Sequence, residues 1–217
     1  MPAYAYPILG AGWLIWLTPF MLAKRPTKPA QHLDRRARWG IVLVAIAYSL
    51  LWQGKFWERA LPPWRIALSV FFLLLGAFLS WTGTRALGRQ WRIDAGLSSD
   101  HELVVSGPYR VVRHPLYTSM LCVLFGTGVM ITPWPLLTLS MLVLIIGTEI
   151  RVRIEDRLLA SRFGERFQDY QRSVPAYIPF LRDPGRKTFV PNDMSARDTR
   201  GLVMINRRLW TNDAHLG

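Results

Sequence analysis

Two clusters of polar residues in the second half of the chain contain side chains that could bind a charged ligand or move a proton. The first cluster runs from Gly107 to Tyr117 and holds two arginines, one histidine and two tyrosines. Its two prolines forbid an uninterrupted helix, because each removes a backbone donor and restricts the residue before it. The second cluster spans residues 151–159, where Arg151 and Glu155 are four positions apart and so share a helix face. We interpret the two clusters as the two walls of one site.

Each cluster also has a plainer interpretation. Arg151 and Glu155 could form a surface ion pair, which contributes well under ~1 kcal/mol. Arg113 and His114 could be ordinary anchors at a membrane interface. The functional interpretation is favoured because both clusters flank the same predicted helical hairpin and lie on the same side of the predicted membrane. Placing an ionisable side chain within the membrane costs free energy, so such residues usually have a function.

The composition indicates a membrane protein. The chain has 217 residues, of which 51% are hydrophobic, and a formal net charge of +13. Membrane proteins combine these properties by separating apolar spans from basic loops. The basic residues form no single stripe on a soluble fold, which argues against a nucleic-acid partner. The single cysteine, Cys122, excludes an intrachain disulfide, and the absence of Cys and His pairs at zinc spacing predicts no metal.

Apolar stretches predict an all-α integral membrane protein with about five transmembrane helices and a C-terminal helix. The last two apolar stretches are joined by a tight proline-containing connection, which predicts an antiparallel helical hairpin. A helix over residues 149–172 should continue the fifth span, break near Gly164 and resume. The chain would thus divide into three N-terminal helices (1–82), a core (83–181) and a polar tail (182–217). The five predicted spans are 4–23, 39–53, 65–82, 117–132 and 135–150.

The distribution of positive charge predicts the orientation in the membrane. The segments 24–38, 83–116 and 151–217 together hold 24 of the 27 lysines and arginines. Because basic loops stay in the cytoplasm, these three segments should face the cytoplasm. We therefore expect a multi-pass membrane protein whose active site faces the cytoplasm and whose N-terminus lies outside.

A series of motifs in a fixed order carries a family resemblance. They resemble the isoprenylcysteine carboxyl methyltransferase family, membrane enzymes that use S-adenosylmethionine and are related to phospholipid methyltransferases. The resemblance covers roughly residues 85–181. The motifs are His-Glu-Leu-Val at 101–104, Gly-Pro-Tyr at 107–109, Arg-His-Pro-Leu-Tyr at 113–117, the Arg151, Glu155 and Asp156 set, Phe163-Gly164, Tyr170 and Val174-Pro175.

The resemblance implies roles for individual residues. The loop 83–116 would be the cytoplasmic cofactor-binding loop. Glu155 would accept hydrogen bonds from the ammonium of S-adenosylmethionine, and Arg151 would orient an acceptor carboxylate. Asp156 stands where a second glutamate is often found. The catalytic residues would be Arg151, Glu155 and His114. The cofactor-binding residues would be His101, Glu102, Leu103, Val104, Gly107, Tyr109, His114, Pro115, Leu116, Tyr117 and Glu155.

The sequence leaves the methyl acceptor open. A carboxylate acceptor is already ionised and needs no strong base, whereas a thiol or amine would need deprotonation by His114 or Glu155. The implied partners are a lipophilic or small methyl acceptor and membrane lipid. The alternatives include phospholipid N-methylation and small-thiol S-methylation. A more remote one is an NADPH-dependent enzyme of the sterol-reductase type, against which Pro115 and the Glu155-Asp156 pair argue. A non-enzymatic scaffold or transporter is the third class.

Overall fold

A computed structural model describes residues 3–23, 32–33, 36–53, 61–92, 96–97 and 102–177. Three regions of the sequence-based prediction lie outside these residues. They are His101 of the predicted cofactor set, the predicted tail 182–217, and most of the basic loop 24–38.

The described chain is helical, apart from one antiparallel pair of two-residue strands, β1 (His32–Leu33) and β2 (Gly96–Leu97). Prolines stand in the first turn of α3, α4 and α5, where the missing N–H has no intrahelical partner to lose. Short 3-10 helices cover Gly88–Gln90 and Gly107–Arg110. The six α-helices are α1 (Ala5–Leu22), α2 (Ala37–Leu50), α3 (Pro63–Leu87), α4 (Pro115–Ile131), α5 (Trp134–Phe163) and α6 (Glu165–Ser173).

Three of these helices, α1, α3 and α5, are long and apolar enough to cross a membrane. The other two predicted spans are also helices, but α2 has 14 residues and α4 has 17. At ~1.5 Å per residue they are shorter than a hydrocarbon core of ~30 Å. The five predicted helices therefore exist, while the count of five spans and their orientation stay predictions.

Two helix ends test the predicted boundaries. The break near Gly164 is confirmed, because α5 ends at Phe163 and Gly164 adopts a positive φ of 54° before α6. The start of the polar loop at residue 83 is wrong, because α3 continues to Leu87. The hydroxyls of Thr82 and Thr84 donate to backbone carbonyls one turn earlier, at 2.7 and 2.6 Å. These polar residues are therefore satisfied inside the helix rather than ending it.

The helices pack so that α3 lies against α1 and α4, while α2 lies against α5. The buried core is apolar and is centred on α4 and α5, with Val123, Leu124, Val129 and Leu144 fully buried. Many large apolar side chains face outward instead, as lipid contact requires. They include Leu14, Met21, Phe71, Leu74, Phe78 and Leu142.

Candidate active site

The first cluster forms a constrained turn ahead of α4. Gly107 adopts a φ of 60° and begins the short 3-10 helix that buries Tyr109. The Tyr170 hydroxyl of α6 donates to the Tyr109 carbonyl at 2.6 Å. Burial raises the pKa of both tyrosines well above its ordinary value, so both hydroxyls stay protonated at neutral pH. This contact fixes the turn against the helix that follows the second cluster.

The backbone after α6 also holds this turn. The Arg113 N–H donates to the Pro175 carbonyl at 2.8 Å, and the His114 N–H donates to the Ala176 carbonyl at 3.0 Å. The Thr118 hydroxyl donates to the Tyr177 carbonyl at 3.0 Å. We call residues 174–177 the strap, since they cross the turn and the start of α4.

Arg113 and Asp156 form an ion pair, called the clip below, that joins the turn to α5 and α6. Arg113 is therefore not an ordinary interfacial anchor. Its Nη1 donates to the carbonyls of Gln171 and Val174 at 2.8 and 2.9 Å. Its Nη2 lies 3.1 Å from Asp156 Oδ2, and the two side chains are 9% and 13% exposed. One guanidinium thus joins the turn, α5 and the end of α6.

His114 lies between two carboxylates of α5. Its Nε2 is 3.0 Å from Asp156 Oδ1, and its Nδ1 is 3.6 Å from Glu155 Oε2. The histidine is buried, and Asp156 also accepts a hydrogen bond from Gln171 Nε2 at 3.2 Å. The hydrogen bond with Asp156 therefore fixes the orientation of the ring, while Glu155 is close enough for an electrostatic contact only.

Arg151, Tyr117 and Glu155 form the second half of the site. Arg151 Nε donates to the Tyr117 hydroxyl at 2.7 Å, and that hydroxyl donates to Glu155 Oε1. Arg151 Nη2 lies 3.5 Å from Glu155 Oε1, which is the predicted contact between residues four apart on one helix face. The Arg151 guanidinium carbon also lies 5.8 Å from the centre of the Tyr117 ring. The two predicted walls therefore meet in one continuous polar network from Arg113 to Arg151.

A cavity of about 480 Å³ opens beside this network. Its volume lies within the range of small-molecule sites, which is ~300–1,000 Å³. Two predicted cofactor residues do not line it: Gly107 shapes the turn, and Pro115 begins α4. His101 lies outside the described residues. The predicted residues that line the cavity are Glu102, Leu103, Val104, Tyr109, His114, Leu116, Tyr117, Arg151 and Glu155.

One group of apolar residues in the cavity lining, called the apolar end below, comes from helices that the sequence analysis treated only as spans. Trp16 lines this end, and its indole Nε1 donates to Ser119 Oγ of α4 at 3.1 Å. Trp16 and Phe20 share a face of α1 with Trp13, a spacing that could have marked this face in the sequence. These helices contribute Trp16, Leu17, Phe20 and Met21 from α1, Ile41 and Val44 from α2, and Met120 from α4.

Within the residues that the structure describes, no group of three or more His, Cys, Asp or Glu side chains is arranged to hold a metal ion. The acidic and imidazole groups of the site contact one another, Arg113 and Arg151 instead. The arrangement can bind a cation at its carboxylates, orient an anion at a guanidinium and move a proton at His114.

Comparison with known proteins finds several similar chains. The phospholipid methyltransferase family matches residues 64–166. The cobalt-zinc-cadmium resistance protein CzcN of Cupriavidus metallidurans is 32% identical over 144 residues, which cover 66% of this chain and 62% of that protein. A protein-S-isoprenylcysteine O-methyltransferase of Schizosaccharomyces pombe is 28% identical over 161 residues, covering 67% of this chain and 68% of that protein. Methanethiol S-methyltransferase 2 of Bradyrhizobium diazoefficiens is 30% identical over 110 residues, covering 51% and 37%. The chain thus spans less than two thirds of the length of CzcN and of the methanethiol enzyme.

Proposed function

We propose that the chain is a membrane methyltransferase of the isoprenylcysteine carboxyl methyltransferase family, and that it uses S-adenosylmethionine and a lipophilic acceptor. The observation that carries this proposal is the cavity, whose lining combines charged residues around Glu155, called the charged end, with the apolar residues around Trp16. A cationic, water-soluble donor and an apolar acceptor need such a pair of environments side by side. The apolar helices and the family also support an integral membrane location, and we propose that the charged end faces the cytoplasm.

The charged end fits the donor by its chemistry. S-adenosylmethionine supplies an electrophilic methyl group on a sulfonium, together with an ammonium and a carboxylate. Glu155 lines the cavity with 26% of its side chain exposed, so its carboxylate can accept from an ammonium. Tyr109 and Tyr117 line the same end, and aromatic faces attract cations. Glu102, Leu103 and Val104 would complete the wall on the loop side.

The apolar end supports an acceptor carried on a lipid. Leu17, Met21 and Ile41 line the cavity and are 38%, 80% and 39% exposed, and we propose that they also face the surrounding lipid. The same side chains therefore border the cavity and the surface that would contact lipid. An apolar tail could enter between α1 and α2 without leaving the hydrocarbon. We propose that membrane lipid lies against this opening.

We propose roles for the residues of the polar network. Arg151 would orient an acceptor carboxylate, because Tyr117 and Glu155 hold its guanidinium in place. A carboxylate attacks in its ionised form, so this reaction requires no proton transfer. Asp156 and Arg113 would keep the His114 ring beside the reacting groups.

A thiol acceptor is the second candidate, and one observation favours it. His114 lies between two carboxylates, an arrangement that would stabilise the ring after it takes a proton from a thiol. A phospholipid amine would need the same proton transfer. The apolar end of the cavity favours the lipid-borne carboxylate over the small thiol.

The test is methyl transfer by the purified protein in lipid nanodiscs. Methyl-labelled S-adenosylmethionine is incubated with an S-prenylated cysteine, with phosphatidylethanolamine or with methanethiol, and the products are identified by mass spectrometry. We expect a labelled methyl ester on the prenylated cysteine. Label on the amine or the sulfur would select the alternative acceptor instead. If no acceptor is labelled and NADPH binds in place of the methyl donor, the reductase function replaces this proposal.

A further inference from the structure

We propose that Gly40 of α2 positions Arg151, so that α2 belongs to the machinery of methyl transfer. This inference rests on the proposed function. Gly40 lies outside residues 64–166, the part of the chain that the phospholipid methyltransferase family matches. The proposed role depends on the missing side chain, because the stem of Arg151 occupies the space where a Cβ would lie.

The contact at Gly40 is closer than any side chain allows. A Cβ added to Gly40 would lie 2.5 Å from Arg151 Cγ, 3.1 Å from Arg151 Cδ and 2.6 Å from the Gly147 carbonyl oxygen. Carbon atoms pack at ~3.5–4.0 Å, so the first and last of these distances are severe overlaps. Any residue other than glycine must therefore move the Arg151 stem or separate α2 from α5.

The other end of Arg151 has no such freedom. Its Nε bonds to the Tyr117 hydroxyl at 2.7 Å, its Nη2 lies 3.5 Å from Glu155, and the residue is 6% exposed. Displacing the stem at Gly40 must break these contacts or force an unfavourable rotamer. The guanidinium would then leave the position from which it can aim an acceptor oxygen.

Gly147 provides a matched control on the same helix contact. A Cβ added to Gly147 would lie 2.9 Å from Leu43 Cβ and 3.0 Å from the Gly40 carbonyl oxygen. It would press α2 and α5 apart as well, but its nearest contacts are on α2 and not on Arg151. Gly40→Ala and Gly147→Ala thus separate a general packing effect from an effect through Arg151.

The first measurement compares the two variants with the wild type in nanodiscs. Both substitutions should lower the thermal midpoint. Only Gly40→Ala should lower kcat, by about 10- to 100-fold, since a misplacement of ~1 Å at a reacting group costs up to ~100-fold. Its affinity for S-adenosylhomocysteine should stay within about threefold of the wild type, because Glu155 still accepts a hydrogen bond from the Tyr117 hydroxyl and keeps its charge. Equal losses of kcat in the two variants would overturn the inference while leaving the proposed function in place.

A second measurement does not need activity. Arg151→Ala removes the Cγ and Cδ atoms that a Cβ at position 40 would meet. The loss of thermal midpoint caused by Gly40→Ala should then be smaller in the Arg151→Ala background than in the wild type, whereas the loss caused by Gly147→Ala should be the same in both.

The outcomes of the two measurements are distinguishable. If the wild type methylates none of the three acceptors, the proposed function fails, and the comparison of thermal midpoints still decides whether Gly40 acts on Arg151. An equal loss in both backgrounds would overturn the inference. A Gly40→Ala protein that fails to fold in both backgrounds would also overturn it, because the glycine would then serve the helix contact alone.

Discussion

Replacing Asp156 with asparagine removes the charge that holds the Arg113 clip and the His114 ring. Asp156 accepts from Arg113 at 3.1 Å and from Gln171 at 3.2 Å, and its Oδ1 lies 3.0 Å from His114 Nε2. The side chains of Arg113 and Asp156 are 9% and 13% exposed, so the variant would leave a nearly buried guanidinium without its counter-charge. We therefore expect both the stability of the fold and the order of the site to fall.

The magnitude follows from the burial of this pair. Removing one partner of a buried ion pair costs about 3–5 kcal/mol. Asparagine keeps a carbonyl oxygen, and one retained neutral hydrogen bond recovers ~1 kcal/mol. A net loss of about 2–4 kcal/mol corresponds to a fall in Tm of roughly 4–16 °C for a chain of this size.

The assay is thermal unfolding in detergent, followed by circular dichroism, with Asp169→Asn as the matched control. Asp169 pairs with Arg172 on α6 at 3.8 Å, and the side chains are 47% and 66% exposed. Such a surface pair contributes at most ~1 kcal/mol, so the control should lose no more than about 4 °C. Equal Tm losses in the two variants would refute the reasoning that Arg113 and Asp156 form the clip of the site.

Three further predictions concern the ligand and the membrane. Glu155→Gln should weaken S-adenosylhomocysteine binding about 10- to 150-fold in calorimetry, because it removes a charge-assisted hydrogen bond of ~1.5–3 kcal/mol; unchanged affinity would remove Glu155 from the site. Arg151→Lys should lower kcat/KM for a carboxylate acceptor about tenfold or more, with cofactor affinity intact, because lysine lacks the planar fork. Activity within about threefold of the wild type, under ~1 kcal/mol of transition-state stabilisation, would count against carboxyl methylation. Cysteines placed at Ser99 and Ser195 should react with impermeant reagents only from the cytoplasmic side, and labelling of intact cells would reject the predicted orientation.

The helices were predictable because apolar length and prolines are local properties of the sequence. The break at Gly164 follows from the positive φ that only glycine adopts readily. The contact between Arg151 and Glu155 follows from their spacing of four on one helix. The meeting of His114 with Glu155 and Asp156 was expected only in outline, as two walls of one site, and their distances come from tertiary packing.

Two features of the site could not be predicted from the sequence: the contacts of Arg113 with backbone carbonyls, and the helix faces that line the cavity. Arg113 donates to the carbonyls of Gln171 and Val174. Every residue has a backbone carbonyl, so no sequence pattern marks these partners. The lining by Trp16 and Ile41 depends on which side of α1 and α2 faces inward. The spacing of Trp13, Trp16 and Phe20 marks one face of α1, but no polar stripe shows that this face points inward, so packing of α1 and α2 against α3, α4 and α5 decides it.

Because the strap follows the helices in the chain, the site can be completed only after those helices have been synthesised. The backbone of Arg113 and His114 is held by carbonyls at residues 175 and 176, which leave the ribosome after the six α-helices of the described residues. A growing chain can therefore insert its long apolar helices α1, α3 and α5 while the turn that carries His114 still lacks these partners. The ability to bind a ligand would arise only once residues 175 and 176 have been made, after the helices α1 to α6 that precede them. A chain that terminates at Ser173 would keep its helices yet lose the two bonds that fix the histidine.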